Sequence, residues 1–412
     1  MNTQLKLALK VLARRKVFTA ISLTGIAMTL AVLMVATAIL DNMFAPMPPE
    51  SRFDRTLVVY RFTQAGHGST MNTDPGYGFL DRFMRTLPNI ERASIFSNTQ
   101  PVALYHEGKR IDAVVKRTDG DYWRILDFRF LEGGPYSAAD DDAGRLVAVI
   151  TDDMRERLFD GGPALGRTFT LEGRSFRVIG VVPRVPSTRL IAYSQIWIPI
   201  GTMKSAEYRT QLTGSFAGAV LARDRADIPA LQRAFADRMP SVPLVDPKRF
   251  TTTRAGLDTP FEYFARIFGG ADDTRASAAR LRVILGVLAV LFMALPALNL
   301  ITLNLSRILE RAPEIGVRRA FGAPRLSLVR QFVFENMVVT VIGGLGGFAI
   351  AALLLPVLNR YAPVPDVDFG LNLRVFGWGM LLAIVFALLS GVYPAWRMSR
   401  LNPVNALRGG SQ

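Results

Sequence analysis

Hydrophobic and polar positions divide this chain into two kinds of territory. Four long runs carry no charged residue: Val17 to Leu40 (24 residues), Val283 to Leu305 (23), Asn336 to Asn359 (24) and Val375 to Trp396 (22). About 20 apolar residues at 1.5 Å rise cross the ~30 Å hydrocarbon core of a bilayer as one helix. A backbone in lipid must satisfy its own polar groups, which predicts a helix for each run. One run stands alone, 242 residues follow from Asp41 to Arg282, and then come the other three. Expected boundaries are an amphipathic helix at 1–16, spans at 17–40, 283–305, 331–358 and 375–396, an inserted domain at 41–282, a loop at 306–330 and a tail at 397–412.

Within the insertion the periodicity is mixed. Strands are predicted at Thr56–Phe62, Ile95–Val102, Ala113–Arg117, Leu146–Ile150, Ile196–Ile200 and Ala219–Ala222. Phe169–Leu171 and Phe176–Val182 flank Glu172-Gly173-Arg174, a hairpin turn. Helical spacing marks Gly76–Leu87, with Phe79, Leu80, Phe83 and Met84 on one face. Helices are also expected at Asp152–Phe159, with Thr151 as N-cap, and at Ile228–Met239. The sum is α+β, read as two lobes with the second, near 95–215, inserted in the first. Ala276, Ala279, Leu281, Val283 and Leu285 predict a helix that begins before the second run and continues into it. The fold class is therefore a membrane protein: four transmembrane α-helices, with a large α+β extracytoplasmic domain inserted after the first.

Charge supplies the orientation. The segments 1–16, 306–330 and 397–412 hold 14 basic and 2 acidic residues, whereas 41–282 holds 33 and 29. Short basic flanks stay in the cytoplasm, which puts both termini and the 306–330 loop inside and the large domain outside. The net charge of +15 is thus topological and lipid-facing, and nucleic-acid binding is not expected. The first run exceeds the 7–15 residues of a signal-peptide core, so an uncleaved anchor is expected. The chain has no cysteine, which excludes disulfides and thiol chemistry.

Candidate chemistry is sparse. No Gly-x-x-x-x-Gly-Lys-Ser/Thr phosphate loop occurs. Gly343-Gly344-Leu345-Gly346-Gly347 lies inside a run and reads as a place of close helix contact. His67 and His106 have no metal-ligand spacing, and Asp140-Asp141-Asp142 reads as a solvated loop. Four polar residues stand within or at the edge of spans: Asn299 and Asn304 in the second, and Glu335 and Asn336 at the inner end of the third. Such groups are functional candidates, and Asn299 and Asn304 fit interhelical hydrogen bonding. No chain of ionisable groups crosses the bilayer, which argues against a proton-coupled carrier.

The 306–330 loop contains an ordered motif: Glu314, Ile315, Gly316, Val317, Arg318, Arg319, Ala320, Phe321, Gly322 and Ala323. Glu314 to Phe321 can form a short helix that Gly322 ends, and Pro324 can start another. Pro313, just before it, restrains where the first helix begins. A short helix joined to the third span is a lever suited to a soluble motor. Ile315, Ala320 and Phe321 are available to fill a cleft.

Four segments carry a family resemblance. The opening LKLALKVLARRKVFTAISLTGIAMTL (5–30) resembles that of MacB-type and FtsX-type permeases of ABC transporters. Residues 147–182 are similar to the MacB-type periplasmic core, EIGVRRAFGAPRLSLVRQF (314–332) to the family's coupling loop, and YPAWRMSRLNPVNALR (393–408) to its tail. The resemblance implies four spans per subunit and a permease pair, homo- or heterodimeric, on a cytoplasmic ABC ATPase dimer. The chain itself would hold no cofactor, with ATP and Mg in the separate ATPase; MacB proper carries that domain fused. The implied mechanism is mechanotransmission: ATPase closure moves the outer domains, which expel a peptide, antibiotic, lipoprotein or other amphiphile. Glu314–Ala323 would be the docking segment. The implied location is the bacterial inner (cytoplasmic) membrane with a periplasmic domain, and an adaptor and outer-membrane channel complete the route where two membranes exist. Alternatives implied by the same resemblance are an FtsX-type regulator of a cell-wall enzyme and a lipoprotein-releasing permease.

Overall fold

A computed structural model describes residues 16–106, 108–269, 277–291, 325–361 and 369–399. The chain separates into two compact units. One comprises Met1–Asp41, Arg282–Ala362 and Asp368–Gln412; the other is Asn42–Leu281 with Pro363–Val367.

The helical unit is built from the apolar runs. Helix α1 spans Lys16–Phe44, of which 42–44 group with the other unit. The predicted amphipathic helix falls almost wholly at 1–15, outside the described residues, as does 292–305 of the second run. Residues 277–291 are one continuous helix, consistent with the apolar spacing read across Arg282. The third run lies in a longer helix than the 331–358 expected, Arg325–Tyr361, and the fourth in Leu373–Ser399. Among the described residues two helical stretches, Thr19–Phe44 and Val333–Tyr361, are long and apolar enough to cross a membrane; Leu373–Val385 is a shorter apolar stretch.

The second unit is α+β. Its main sheet runs in the order β1 (Thr56–Val59), β13 (Phe216–Ala222), β4 (Ile90–Ser97), β6 (Lys109–Thr118), β11 (Ile196–Pro199), β8 (Val147–Thr151), β10 (Arg174–Val182) and β7 (Glu132–Gly133). Strand β5 (Gln100–His106) adds to β6 and β9 (Thr168–Leu171) to β10. A four-stranded sheet orders β12 (Thr213–Gly214), β3 (Ser69–Pro75), β2 (Phe62–Gly66) and β14 (Thr252–Ala255). One sheet therefore passes through both of the expected lobes. β4 joins them, pairing antiparallel with β13 along its length and with β6 at Phe96–Thr118.

Local differences have local causes. Thr56–Phe62 is two strands, because the chain leaves one sheet at Tyr60-Arg61 and enters the other. Ile95–Val102 is likewise broken, between Ser97 and Gln100. Gly76–Leu87 forms an α-turn at Tyr77–Phe79 and then a π-turn at Leu80–Met84, which still buries Phe79, Leu80, Phe83 and Met84. Helix α2 (Asp152–Phe159) starts after Thr151, but the Thr151 side chain does not cap it; its hydroxyl donates to Gln195 O instead (3.3 Å). Helix α3 runs over Ile228–Ala236 and is followed by a 3-10 turn at Met239–Ser241. Asp140-Asp141-Asp142 belongs to a helical turn, Ala138–Asp142, closed by a Ser137–Asp140 capping box. The predicted hairpin has positive φ at Glu172 (51°) and Gly173 (76°), the signature of a turn matched to strand twist.

Three apolar clusters share the sheets. One surrounds Phe62, Phe79, Met84 and Phe235; another surrounds Met154, Phe169, Phe176 and Ile198 in the inserted half. The third is aromatic and draws on both halves, packing Phe96, Tyr122, Trp123 and Trp197 against Val58, Val149 and Leu221.

Candidate functional site

The segment Glu314–Ala323, Asn299 and Asn304 lie outside the described residues. Glu335 and Asn336 sit on α6, the helix Arg325–Tyr361 (α4 being Pro260–Gly269 and α5 277–291), and both are buried. One turn further on, Thr340 Oγ1 donates to Asn336 O (2.9 Å). Intrahelical bonding of this kind satisfies a hydroxyl in an apolar setting without a partner helix.

The glycine run of α6 does what its composition predicts. A Cβ added at Gly343 would lie 2.9 Å from Ile26 Cβ, and one at Gly347 would lie 2.6 Å from Ala27 O and 3.0 Å from Leu30 Cβ. Small residues let the two backbones approach. Contacts rise together along both helices, Gly343 with Leu23 and Ile26, Gly347 with Ala27 and Leu30, so α1 and α6 are parallel. Helix α7 (Leu373–Ser399) is antiparallel to α6: Gly344 faces Met380, whereas Phe348 stacks on Phe376 (5.4 residues' rise earlier is not needed to see the reversal; ring centroids are 4.9 Å apart). Asn372, just before α7, donates to Asp41 near the end of α1.

A second constellation lies in the α+β unit, where its chain begins and ends. Residues 42–50 are tied to the loop 188–192. Thr188 Oγ1 donates to Asn42 Oδ1 (2.6 Å), Arg189 Nη1 donates to Ala45 O (2.8 Å), and Glu50 Oε1 accepts from the amides of Ile191 (3.0 Å) and Ala192 (2.9 Å). The Glu50 carboxylate and the Arg189 guanidinium are 3.7 Å apart, with both side chains at most 2% exposed. Lys116 on β6 donates to Ile191 O, which also accepts from Tyr122 Oη (3.0 Å), and Trp197 Nε1 donates to that hydroxyl (3.2 Å). Burial dominates these groups. It raises the Glu50 carboxyl above its usual range, lowers Arg189, and pushes Lys116 down to about 7 despite the nearby carboxylate.

The other end of the unit closes on the same stem. Val58 and Asp258 exchange backbone hydrogen bonds (2.7 and 2.9 Å). Phe44 packs edge-on against Phe261 and Phe264 of α4, and Tyr60 stacks on Tyr263 at 4.7 Å. Arg266 of α4 pairs with Asp258 at 2.8 Å. We call this double attachment the collar. It clasps the segment after α1 to the helix that precedes 277–291. These groups are engaged with one another and with backbone, an arrangement suited to holding geometry rather than to bond chemistry. Glu50, Lys116 and Arg189 were not singled out by sequence; their one local signal is that each is a charge flanked by apolar or proline residues.

Comparison with known proteins fits both units. A family model described as the MacB-like periplasmic core domain matches residues 19–238, and one described as the FtsX-like permease C-terminal matches 286–403. YknZ of Bacillus subtilis, described as an uncharacterized ABC transporter permease, is 25% identical over 326 residues, covering 79% of this chain and 77% of YknZ. The macrolide export ATP-binding/permease protein MacB of Bdellovibrio bacteriovorus is 29% identical over 280 residues, 66% of this chain and 40% of MacB. The pyoverdine export ATP-binding/permease protein PvdT of Pseudomonas fluorescens is 23% identical over 410 residues, 94% of this chain but 56% of PvdT. The chain thus spans only part of the length of these two exporters. Among solved structures, the periplasmic region of MacB from Actinobacillus actinomycetemcomitans aligns with TM-score 0.36 at 14% identity, covering 53% of this chain and 94% of that one.

Proposed function

The chain belongs to the MacB/FtsX type of ABC transporter permeases, and from that premise we propose that it is a non-catalytic permease subunit working by mechanotransmission. A separate cytoplasmic ABC ATPase, with its ATP and Mg, supplies the force. The Glu314–Ala323 segment receives it, and the extracytoplasmic domain spends it on expelling a substrate. The observation that carries this reading is the order of the two family matches along the chain, core domain first and permease region second. The names of the MacB and PvdT relatives, both export proteins, favour export of a peptide, antibiotic or other amphiphile.

Helix direction supports four crossings. Helices α1 and α6 run the same way, yet the core domain leaves from the end of α1 and must be followed by the start of α6 at the opposite end. The chain therefore has to return across the bilayer between them. The uncharged run 283–305 is the one segment there of sufficient length. Both termini then lie in the cytoplasm, in agreement with the basic flanks. The subunit pairs with a second permease, and an adaptor and outer-membrane channel extend the path in a two-membrane cell.

Glu314→Ala, Arg318→Ala and Arg319→Ala combined should leave complex assembly intact and abolish coupling of ATP hydrolysis to export. Purified complexes that assemble and still export at the wild-type rate would remove the coupling role. Extracellular labelling of the 306–330 loop would overturn the topology itself.

A further inference from the structure

We propose that the extracytoplasmic domain carries a binding site for an anionic amphiphile, in the cleft between α3 and the β14–α4 connection. Among the described residues this cleft encloses about 900 Å³, within the range that holds a small ligand with most of its surface covered. Its walls are of two kinds. Met239, Val242 and Leu257 form an apolar floor and are each at most 6% exposed, and Leu244 extends it half-buried. Charged side chains stand around that floor, and their states differ by sign.

The acids of the lining are occupied. Asp258 is buried and pairs with Arg266 at 2.8 Å. Glu262 Oε2 accepts from Gln232 Nε2 (2.7 Å), which links α3 to α4, and from the Thr259 amide (2.8 Å). The two fully exposed charges of the lining are both cationic, Arg233 on α3 and Arg254 on β14. They face the opening from opposite walls. A ligand entering here meets guanidinium groups first and apolar surface beneath. Charge complementarity selects a carboxylate, sulfate or phosphate head, and the floor selects an aliphatic or aromatic body. A cationic amphiphile would place its head between two arginines, a repulsive arrangement that discriminates against it. Because α4 forms one wall, occupancy bears directly on the helix that Phe44 and Asp258 clasp in the collar.

The site is tested by photolabelling, which needs neither ATPase nor transport and so stands or falls apart from the proposed function. The full chain, in nanodiscs of phosphatidylcholine, is exposed to a medium-chain fatty acid bearing a diazirine, and labelled peptides are mapped. Labels are expected on peptides covering 232–266, competed by decanoate and not by decylamine. The double variant Arg233→Glu/Arg254→Glu should lower that labelling by about tenfold, the loss of charge-assisted contacts, and Arg233→Lys/Arg254→Lys should restore most of it. Ala236→Trp, which fills the cleft from α3 and leaves every charge in place, gives an independent route should the double variant fold poorly; it should also suppress labelling. Labels confined to the membrane helices would overturn the site. Cleft labelling that decylamine competes as well as decanoate would overturn the anionic preference.

Discussion

In the helical unit, α1 comes so near α6 that one added carbon at Gly347 would meet backbone. In the α+β unit, the stem after α1 is held by a carboxylate, a guanidinium and an amine, all removed from water. The contrast follows from solvent. Between helices in lipid no water is released on contact, so association rests on shape and close packing. In the soluble unit the aromatic and aliphatic cores already supply the hydrophobic drive. The collar adds direction instead: charges that find their partners in one arrangement of residues 42–50 and 188–192. A seam built on shape is broken by bulk, and a clasp built on charge is broken by removing one partner.

The largest effect is expected at Glu50. Glu50→Ala strands the Arg189 guanidinium and orphans the amides of Ile191 and Ala192, a loss of about 3–5 kcal/mol for a buried pair deprived of one member. Hydrogen exchange at residues 188–192 should accelerate sharply while that of α6 stays unchanged. Equal acceleration in both units would erase the contrast.

Next comes Lys116. Its folded pKa of about 7 lies below the ordinary 10.5, so between those values the unfolded chain binds the extra proton. Stability of the soluble unit should therefore rise as pH rises across that interval. Glu50, with its carboxyl raised, acts the opposite way but in the acid range. Lys116→Met should flatten the alkaline rise and add on the order of a few kcal/mol near pH 7, read by denaturation followed through Trp123 and Trp197. A slope unchanged by the substitution would remove the amine as its source.

The seam is tested by bulk and by a cross-link. Gly347→Leu should cost about 1–3 kcal/mol through overpacking and loosen α1 from α6. The Cβ of Ala27 lies 3.6 Å from that of a side chain added at Gly346, a separation suited to a disulfide. Ala27→Cys/Gly346→Cys should therefore oxidise readily in a chain that has no cysteine of its own. Failure to form would refute the parallel register. The smallest effects distinguish two helix starts. Ser137→Ala removes a capping box and should cost about 1 kcal/mol, whereas Thr151→Ala, whose hydroxyl does not cap α2, should cost less.

What could be read in the sequence was whatever neighbouring residues decide. The hairpin at Glu172-Gly173 was legible because its turn conformation is a property of those residues. The Gly343–Gly347 seam was legible because such glycines inside an apolar run have few other uses. The four buried side chains of Phe79 to Met84 were also legible, although the π-turn that carries them was not. Thr56–Phe62 was misjudged because the break at Tyr60-Arg61 exists only when two sheets offer partners on either side. The single sheet through both halves escaped notice for the same reason: its joint is one pairing, Phe96 with Thr118. The collar was illegible because Glu50, Lys116 and Arg189 are separated by scores of residues and none lies in a motif.

Contact at the glycine seam has a mechanical consequence. Gly347 divides α6 unequally, with 22 residues back to Arg325 and 14 on to Tyr361, or about 33 Å and about 21 Å of helix. Such a crossing is a fulcrum, and a sideways stroke at the long arm emerges at the short one reversed and scaled down by about a third. Pro356 sits in the short arm and deletes a rung of its ladder, so the output end is also the compliant one. Gearing of this sort trades travel for thrust.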